Sequence, residues 1–349
     1  MMRRAAEVLR GPILLLAAAG LALIAWAVAM AQATGSTRPP VRIGNTPEVL
    51  AALPAKSPGD SVRLAVLSDI EEGVETFRMA LRRFAERPPD FVVLNGDLCY
   101  RPTEEGYRYF LWQLRDAAYP GPFLCGAGNH DLVNRTDPSR FRRFFGDDRL
   151  AARVGCVQIL ILNNCVNGLS DADYRWLQAA AAADPAIRHR LLFLHYPPLV
   201  APKDREEVRP SPAYRRLYDL APSLAIRRVF SGNLHAYRRL RIDGVDYVVC
   251  GGGGADRHSP EAAPHYVEVL VEGDRVTDAI IPLPEIHSPV ESLDRFACLY
   301  VGPWLRRHPL VSVPAVLGAI ALLARQAVRT IRRRAPAARR DALHMPPPS

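Results

Sequence analysis

The sequence predicts an α/β (α+β) fold in which sheets pack together with helices on their outer faces. Three observations predict it. Short apolar runs alternate with amphipathic stretches of helical spacing from residue 62 to about residue 226. Several of those runs stop abruptly at Asp, Asn or His, as buried strands do when they deliver polar groups to one end of a sheet. Beyond residue 226 strand patterns follow one another with little helix between them, so the second half adds sheet rather than further βα units.

In chain order, Val62–Ser68 reads as a strand and Val74–Glu86 as an amphipathic helix. Asp90–Leu94 is a strand ending in Asn-Gly-Asp, and Glu104–Asp116 a helix. Pro122–Leu124 begins a strand that runs into Gly-Ala-Gly-Asn-His-Asp. Val157–Leu162 is a strand and Asp171–Ala183 a helix with an Ala-rich face. Leu191–Leu194 is a strand ending at His195, Ser211–Leu220 a helix, and Ile226–Phe230 a strand ending in Ser-Gly-Asn-Leu-His. Arg238–Ile242, Val245–Cys250, Tyr266–Val271 and Arg275–Ile281 complete the strands, and Asp243-Gly244 suits a hairpin turn between the first two. No internal repeat is visible.

The net charge of +9 is unevenly placed. Residues 1–31 carry +2 and residues 305–349 carry +8, which leaves −1 for residues 32–304. The globular part therefore lacks the basic face of a nucleic-acid-binding domain, and no nucleic-acid partner is expected. The charged ends flank two apolar runs. Pro12 to Ala31 holds 20 residues without a charge. It reads as an N-terminal membrane anchor or signal segment (residues 1–32), and its length favours an uncleaved anchor over the shorter apolar core of a signal peptide. His308 to Ala324 reads as a C-terminal membrane segment, with an amphipathic surface helix as the alternative. The basic tail of residues 325–349 places both ends in the cytoplasm and residues 32–304 outside by the positive-inside rule. Membrane lipid is thus an expected partner. Residues 33–61, rich in Pro, Gly, Ser and Thr, read as a linker, and residues 287–307 as a connector. The six cysteines form no Cys-x-x-Cys pair. Buried free thiols are the ordinary reading, with Cys156 and Cys165 the nearest pair for a disulfide.

Five predicted strand ends each present groups that bind metal or move protons. They are Asp69; Asp97 with Tyr100; Asn129, His130 and Asp131; His195; and Asn233 with His235. A turn residue explains any one of them, but turn chemistry does not explain all five in one alternating architecture. In this order, D-x-x, G-D-x-x-Y, G-N-H-D, H and G-x-x-H, the chain resembles the calcineurin-like metallophosphoesterase superfamily. G-N-H-D is the most specific piece, and the match covers roughly residues 62–283, with a domain expected over 62–286. The resemblance implies a four-layer αββα sandwich whose loops hold two metal ions. It implies Asp97 as the bridge, Asp69 and His235 on the first ion, and Asn129 and His195 on the second. His130 is implied as the group that assists the leaving oxygen, with Asp131 orienting its ring.

Two positions depart from the family pattern. Many members carry Asp-x-His at the first motif, where this chain has Asp69-Ile70-Glu71. Many carry Gly-His-x-His at the last, where this chain has Gly232-Asn233-Leu234-His235. In the purple acid phosphatase branch the Tyr of G-D-x-x-Y is a ligand, so Tyr100 is expected to complete the first site. Glu71 is the rival for that place, against a reading of it as a solvated residue at a helix start. Asn233 offers a neutral amide oxygen in place of an imidazole, which is expected to weaken the second site or turn it toward harder ions.

The cofactors implied are two divalent ions, or Fe(III) with a divalent ion, drawn from Fe, Mn or Zn. The activity implied is hydrolysis of phosphate esters, acid phosphatase-like, with a metal-held hydroxide attacking phosphorus and His130 assisting the leaving group. The alternatives are a phosphodiesterase acting on a lipid head group or nucleotide, and a non-catalytic tethered binding module with a degenerate metal site. Loops Arg101–Gly106, Val133–Arg140 and Pro202–Pro210 are where substrate choice is expected to reside.

Overall fold

A computed structural model describes residues 2–39, 41–71, 73–185, 187–200, 208–255, 263–286 and 288–334. Residues 335–349 of the expected basic tail and most of the Pro202–Pro210 loop lie outside them. The chain forms two compact units, residues 33–292 and residues 1–32 with 293–349.

In the larger unit the strands are β1 (Val62–Leu67), β2 (Phe91–Asn95), β3 (Phe123–Gly126), β4 (Arg149–Val154), β5 (Val157–Leu162), β6 (His189–Phe193), β7 (Leu199–Val200), β8 (Arg209–Pro210), β9 (Ile226–Ser231), β10 (Tyr237–Ile242), β11 (Val245–Cys250), β12 (His265–Glu272) and β13 (Arg275–Pro282). One sheet has the order β13-β12-β1-β2-β3, and the other β10-β11-β9-β6-β5-β4. β1, β2 and β3 are mutually parallel, as are β5, β6, β9 and β11. Parallel pairing sends the carboxyl ends of the strands in each group the same way, which brings the polar strand ends together.

The two-residue period of a strand divides each apolar run between two cores. Val62, Leu64 and Val66 of β1 join Ile159, Leu191, Phe230 and Val248 in a layer between the sheets. Ala65 and Leu67 face the other way, onto Phe77, Phe84 and Phe110 of the helices Val74–Glu86 and Glu104–Gln113. Leu160, Leu192 and Val229 face the helices Asp171–Ala183 and Arg215–Leu220 on the far side. Each such side chain contributes about 1.5–3 kcal/mol by burial, so the inter-sheet layer holds one sheet firmly against the other. The result is a helix–sheet–sheet–helix sandwich.

Boundaries differ from the expectation in three places. The stretch expected to be a linker is packed onto the domain. Val41, Asn45 and Val49 are buried. The Asn45 amide donates to the carbonyls of Cys125 and Asp147, both at 2.6 Å, and accepts from the Cys125 N–H at 3.0 Å. Its Pro and Gly content sets turns rather than freedom. A helix at Ser139–Phe145 and the strand β4 stand where no element was predicted, because their apolar positions (Phe141, Phe145; Leu150, Val154) are too few to show a period. All six cysteines are free and buried, so Cys156 and Cys165 are not paired.

One helix spans Met2–Ser36, residues 2–32 of it in the smaller unit, and another, Pro309–Arg334, lies within that unit. Gly11–Ser36 and Pro309–Arg329 are long and apolar enough to cross a membrane by length and composition. Within this unit the Trp26 indole donates to Asp294 at 2.9 Å.

Candidate metal centre

The site grows from the ends of β1, β2, β3, β6 and β9, and the backbone turns sharply after β1, β2 and β9. Asp69, Glu71, Asp97, Asn233 and His235 all have positive φ, between 46° and 64°. They are half of the non-glycine residues with that conformation among those described. A left-handed conformation is costly for these side chains and gathers at functional sites when the surroundings enforce it. The enforcement is visible here. The N–H groups of Ile70 and Glu71 both donate to the Asp97 carbonyl, at 3.0 and 2.9 Å, and the Asp69 N–H donates to the Gly96 carbonyl at 3.1 Å. Two glycines permit the crowding. A Cβ at Gly128 would meet Asp97 Oδ1 at 2.2 Å, and one at Gly232 would meet Asp69 Oδ2 at 2.5 Å.

The buried carboxylates stand in two overlapping groups. Asp69, Asp97 and His195 place candidate ligand atoms within 4.8 Å of one another, and so do Glu71, Asp97 and His130. Asp97 belongs to both. His195 Nε2 is 3.1 Å from Asp97 Oδ2 and 4.0 Å from Asp69 Oδ1. His235 Nε2 is 3.5 Å from Asp69 Oδ1 and 3.7 Å from Glu71 Oε1. Asn129 is buried beside them, with the next residue's N–H, that of His130, donating to Asp97 Oδ1 at 2.8 Å. Asn233 enters through its backbone, whose N–H donates to Asp69 Oδ1 at 2.8 Å.

Charge is crowded here. Burial raises the pKa of Asp69, and nearby Asp97 adds to the rise against the pull of His195 and His235. Burial also pushes Asp97 upward, but His195 and the N–H of His130 outweigh it and hold that carboxyl below its usual range. Burial alone would lower His195; Asp97 and Asp69 instead lift it to about 10. Glu71 is lifted to about 7, by burial and by the neighbouring Asp97 and Asp69, only partly offset by His130 and His235.

The donor set fits a metal centre. Asp69 Oδ2 and Asn129 Oδ1 are buried without a hydrogen-bond partner, and His195 Nε2 is buried facing the Asp97 carboxylate at 3.1 Å. Buried polar atoms are ordinarily satisfied, so two orphaned oxygens around one shared carboxylate mark a place for a cation.

Three expectations need correction. Glu71 is not a solvated helix-start residue: it is 9% exposed and lies in a turn between Asp97, His130 and His235. Tyr100 is not buried among the carboxylates. It is 42% exposed, and its ring stacks on that of His130 with centroids 5.2 Å apart. Asp131 does not orient the His130 ring. Its carboxylate accepts the N–H groups of Gly128 (2.9 Å), Leu98 (3.1 Å) and Cys99 (3.4 Å), pinning the G-N-H-D turn to the G-D-L-C turn. Burial and the charge of Asp97 lift it to about 7 in spite of those donors. The ring of His130 is held instead by the Tyr100 carbonyl, 2.9 Å from Nδ1. A carbonyl only accepts, so Nδ1 carries the hydrogen, and Nε2 is the nitrogen free to act, 3.7 Å from Glu71 Oε1.

Two supporting residues escaped the sequence reading. The Asn164 side-chain oxygen accepts the N–H groups of His195 and Tyr196, both at 3.0 Å. The Asn95 amide donates to the Leu194 carbonyl at 2.8 Å, and the Asn95 carbonyl lies 3.1 Å from His195 Nδ1. Both asparagines stand where an apolar run ends, Asn95 as the last residue of β2 and Asn164 two residues past β5, which is the one signal that marks them.

The profile of the calcineurin-like phosphoesterase family matches residues 62–252, more than half of the chain. The chain belongs to that family. No curated protein sequence matches it. Among solved structures it is similar to a purple acid phosphatase from yellow lupin (Lupinus luteus) seeds, at 15% identity and a TM-score of 0.55, over 66% of this chain and 52% of that one. It is also similar to a dimetal phosphatase from Danio rerio, at 14% identity and a TM-score of 0.50, over 64% of this chain and 99% of that one. A third similar structure is GAP50 of Plasmodium, an anchor in the inner membrane complex, at 10% identity and a TM-score of 0.50, over 68% and 95% of the two chains. The chain spans about half the length of the lupin phosphatase. At these identities the likeness is one of fold.

Proposed function

We propose that this chain is a two-metal phosphatase acting on phosphomonoesters, held at a membrane by its terminal helices with the catalytic domain outside the cytoplasm. The observation that carries the reading is Asp97, the one carboxylate common to both ligand groups. By the family resemblance, Asp69 and His235 are the proposed ligands on one side of it, and Asn129, His195 and Asn233 those on the other, a division that differs from the geometric groups, where Asp69 stands with His195 and Glu71 with His130. Bound there, a pair of ions neutralises phosphate charge and provides a nucleophile near neutral pH. The remaining work falls to the protein. His130, with Nδ1–H committed to the Tyr100 carbonyl, presents Nε2 to protonate the leaving oxygen. The stacked Tyr100 ring keeps that imidazole in its plane. Asp131 keeps the Asp97 and Asn129 turns in register.

The basic residues at both ends support the orientation. A domain kept at a bilayer also suits a lipid head-group diester, which makes a phosphodiesterase the nearest alternative. The fold occurs in a protein described as an anchor as well, and Asn233 in place of a ligand imidazole favours a non-catalytic module as the reading of another class. Elemental analysis of the purified full chain, together with a panel of phosphomonoesters and phosphodiesters, separates the three. Two ions per chain with monoester turnover is the expected result. Turnover confined to diesters transfers the assignment to the alternative, and no ion with no turnover overturns the enzymatic reading.

A further inference from the structure

Glu71 is a buried acid with no Arg or Lys beside it among the described contacts; it lies near the carboxylates of Asp97 and Asp69 and the imidazoles of His130 and His235, each with Nε2 3.7 Å from Oε1. A carboxylate removed from water without a cation is costly. Its backbone is also held in the left-handed region (φ 46°), with its N–H bonded to the Asp97 carbonyl. Chain geometry that costs this much turns the side chain into the cluster rather than out to solvent. The cluster is more than a group of acids, because Asp69 Oδ2 and Asn129 Oδ1 are buried there without partners.

Resting on the two-metal reading, we propose that Glu71 is a ligand of the first ion and tilts that site toward hard cations such as Mn(II), Mg(II) or Fe(III). With Asp69 and Asp97 it gives the ion three carboxylates against the single imidazole of His235. Carboxylate oxygens suit hard ions, whereas imidazole suits zinc. The second side already offers the buried amide oxygen of Asn129. The whole centre therefore holds two imidazoles, His195 and His235, and is harder than the histidine-rich pattern its sequence departs from. Tyr100, exposed and stacked on His130, takes no part in the shell.

The test is titration of the full chain in detergent, stripped of metal, with Mn(II) and with Zn(II), followed by calorimetry and by elemental analysis after dialysis. Wild type is expected to bind Mn(II) at the first site. Glu71→Gln, nearly isosteric, should weaken that binding by more than about tenfold, at least the loss typical of removing a supporting residue. Glu71→His should shift the ratio of Zn(II) to Mn(II) affinity toward zinc by about tenfold or more, and Tyr100→Phe should leave both affinities unchanged. Wild type that binds ions while both Glu71 variants keep its affinities and ratio overturns the assignment of Glu71 and leaves the two-metal reading standing. Wild type that binds neither ion overturns both. Circular dichroism of each variant identifies misfolding, and if Glu71→His misfolds, the Gln variant decides.

Discussion

The two sides of Asp97 have departed from a common pattern in opposite directions. On one side a carboxylate, Glu71, stands where an imidazole is usual, buried and oriented by a strained turn. On the other, Asn233 stands where an imidazole is usual, and what it brings to the cluster is its backbone N–H on Asp69. One side has gained negative charge and the other has lost a basic ligand. The proposed centre is therefore asymmetric: Glu71 adds a buried carboxylate beside Asp97, whereas Asn233 contributes a hydrogen bond to Asp69.

Asp97→Ala should abolish both sides of the centre at once, because it removes the group they share. Metal content and phosphatase activity should fall together to background, measured by elemental analysis and turnover. Activity persisting at one ion per chain would show the sides to be independent.

Proton competition gives the next largest effect. With no ion bound, His195, raised to about 10, is protonated at neutral pH, and Glu71 and Asp131, raised to about 7, are partly so. A cation must displace the protons of the groups it binds, so affinity rises with pH. The slope should be about one decade per pH unit between pH 8 and 9.5, from His195, and steeper below pH 7, where Glu71 also binds a proton. Stability of the metal-free chain runs the other way. A raised folded pKa means that the folded state holds more protons, so stability falls as pH rises through about 7 for Asp131 and through about 10 for His195. Thermal melts across pH 5–9, with and without Mn(II), measure both trends, and a flat metal-free profile would contradict the charge crowding.

Two substitutions sharpen single sides. Asn233→His should tighten binding of the second ion by about tenfold, within the range seen for changes around metal ligands, with little change at the first. Asn164→Ala removes the acceptor of the His195 and Tyr196 N–H groups. It should cost about 1–3 kcal/mol of stability, read by denaturant unfolding, and loosen the second ion only.

Much of this was legible in the chain. β5, β11 and the helices Val74–Glu86 and Asp171–Ala183 have the bounds their patterns predict, because long runs of one period carry redundant signal. The packed segment at Asn45 was not legible. Pro and Gly look alike in a free linker and in a chain pinned by one buried asparagine.

The residue types of the centre, their order along the strands and the two departures at Glu71 and Asn233 belong to the sequence alone. They follow from where apolar runs stop, which is a local property. Tertiary structure decided which neighbours face inward. Glu71 lies two residues past Asp69, where an extended chain would give both side chains one face and a helix would part them. Neither rule applies to left-handed residues tied to the Asp97 carbonyl. Likewise His130 is oriented by a backbone carbonyl, that of Tyr100, which every residue possesses and no sequence pattern marks. Side-chain identity is written in the chain, but direction here is set by hydrogen bonds between turns that only the packed sheets bring together.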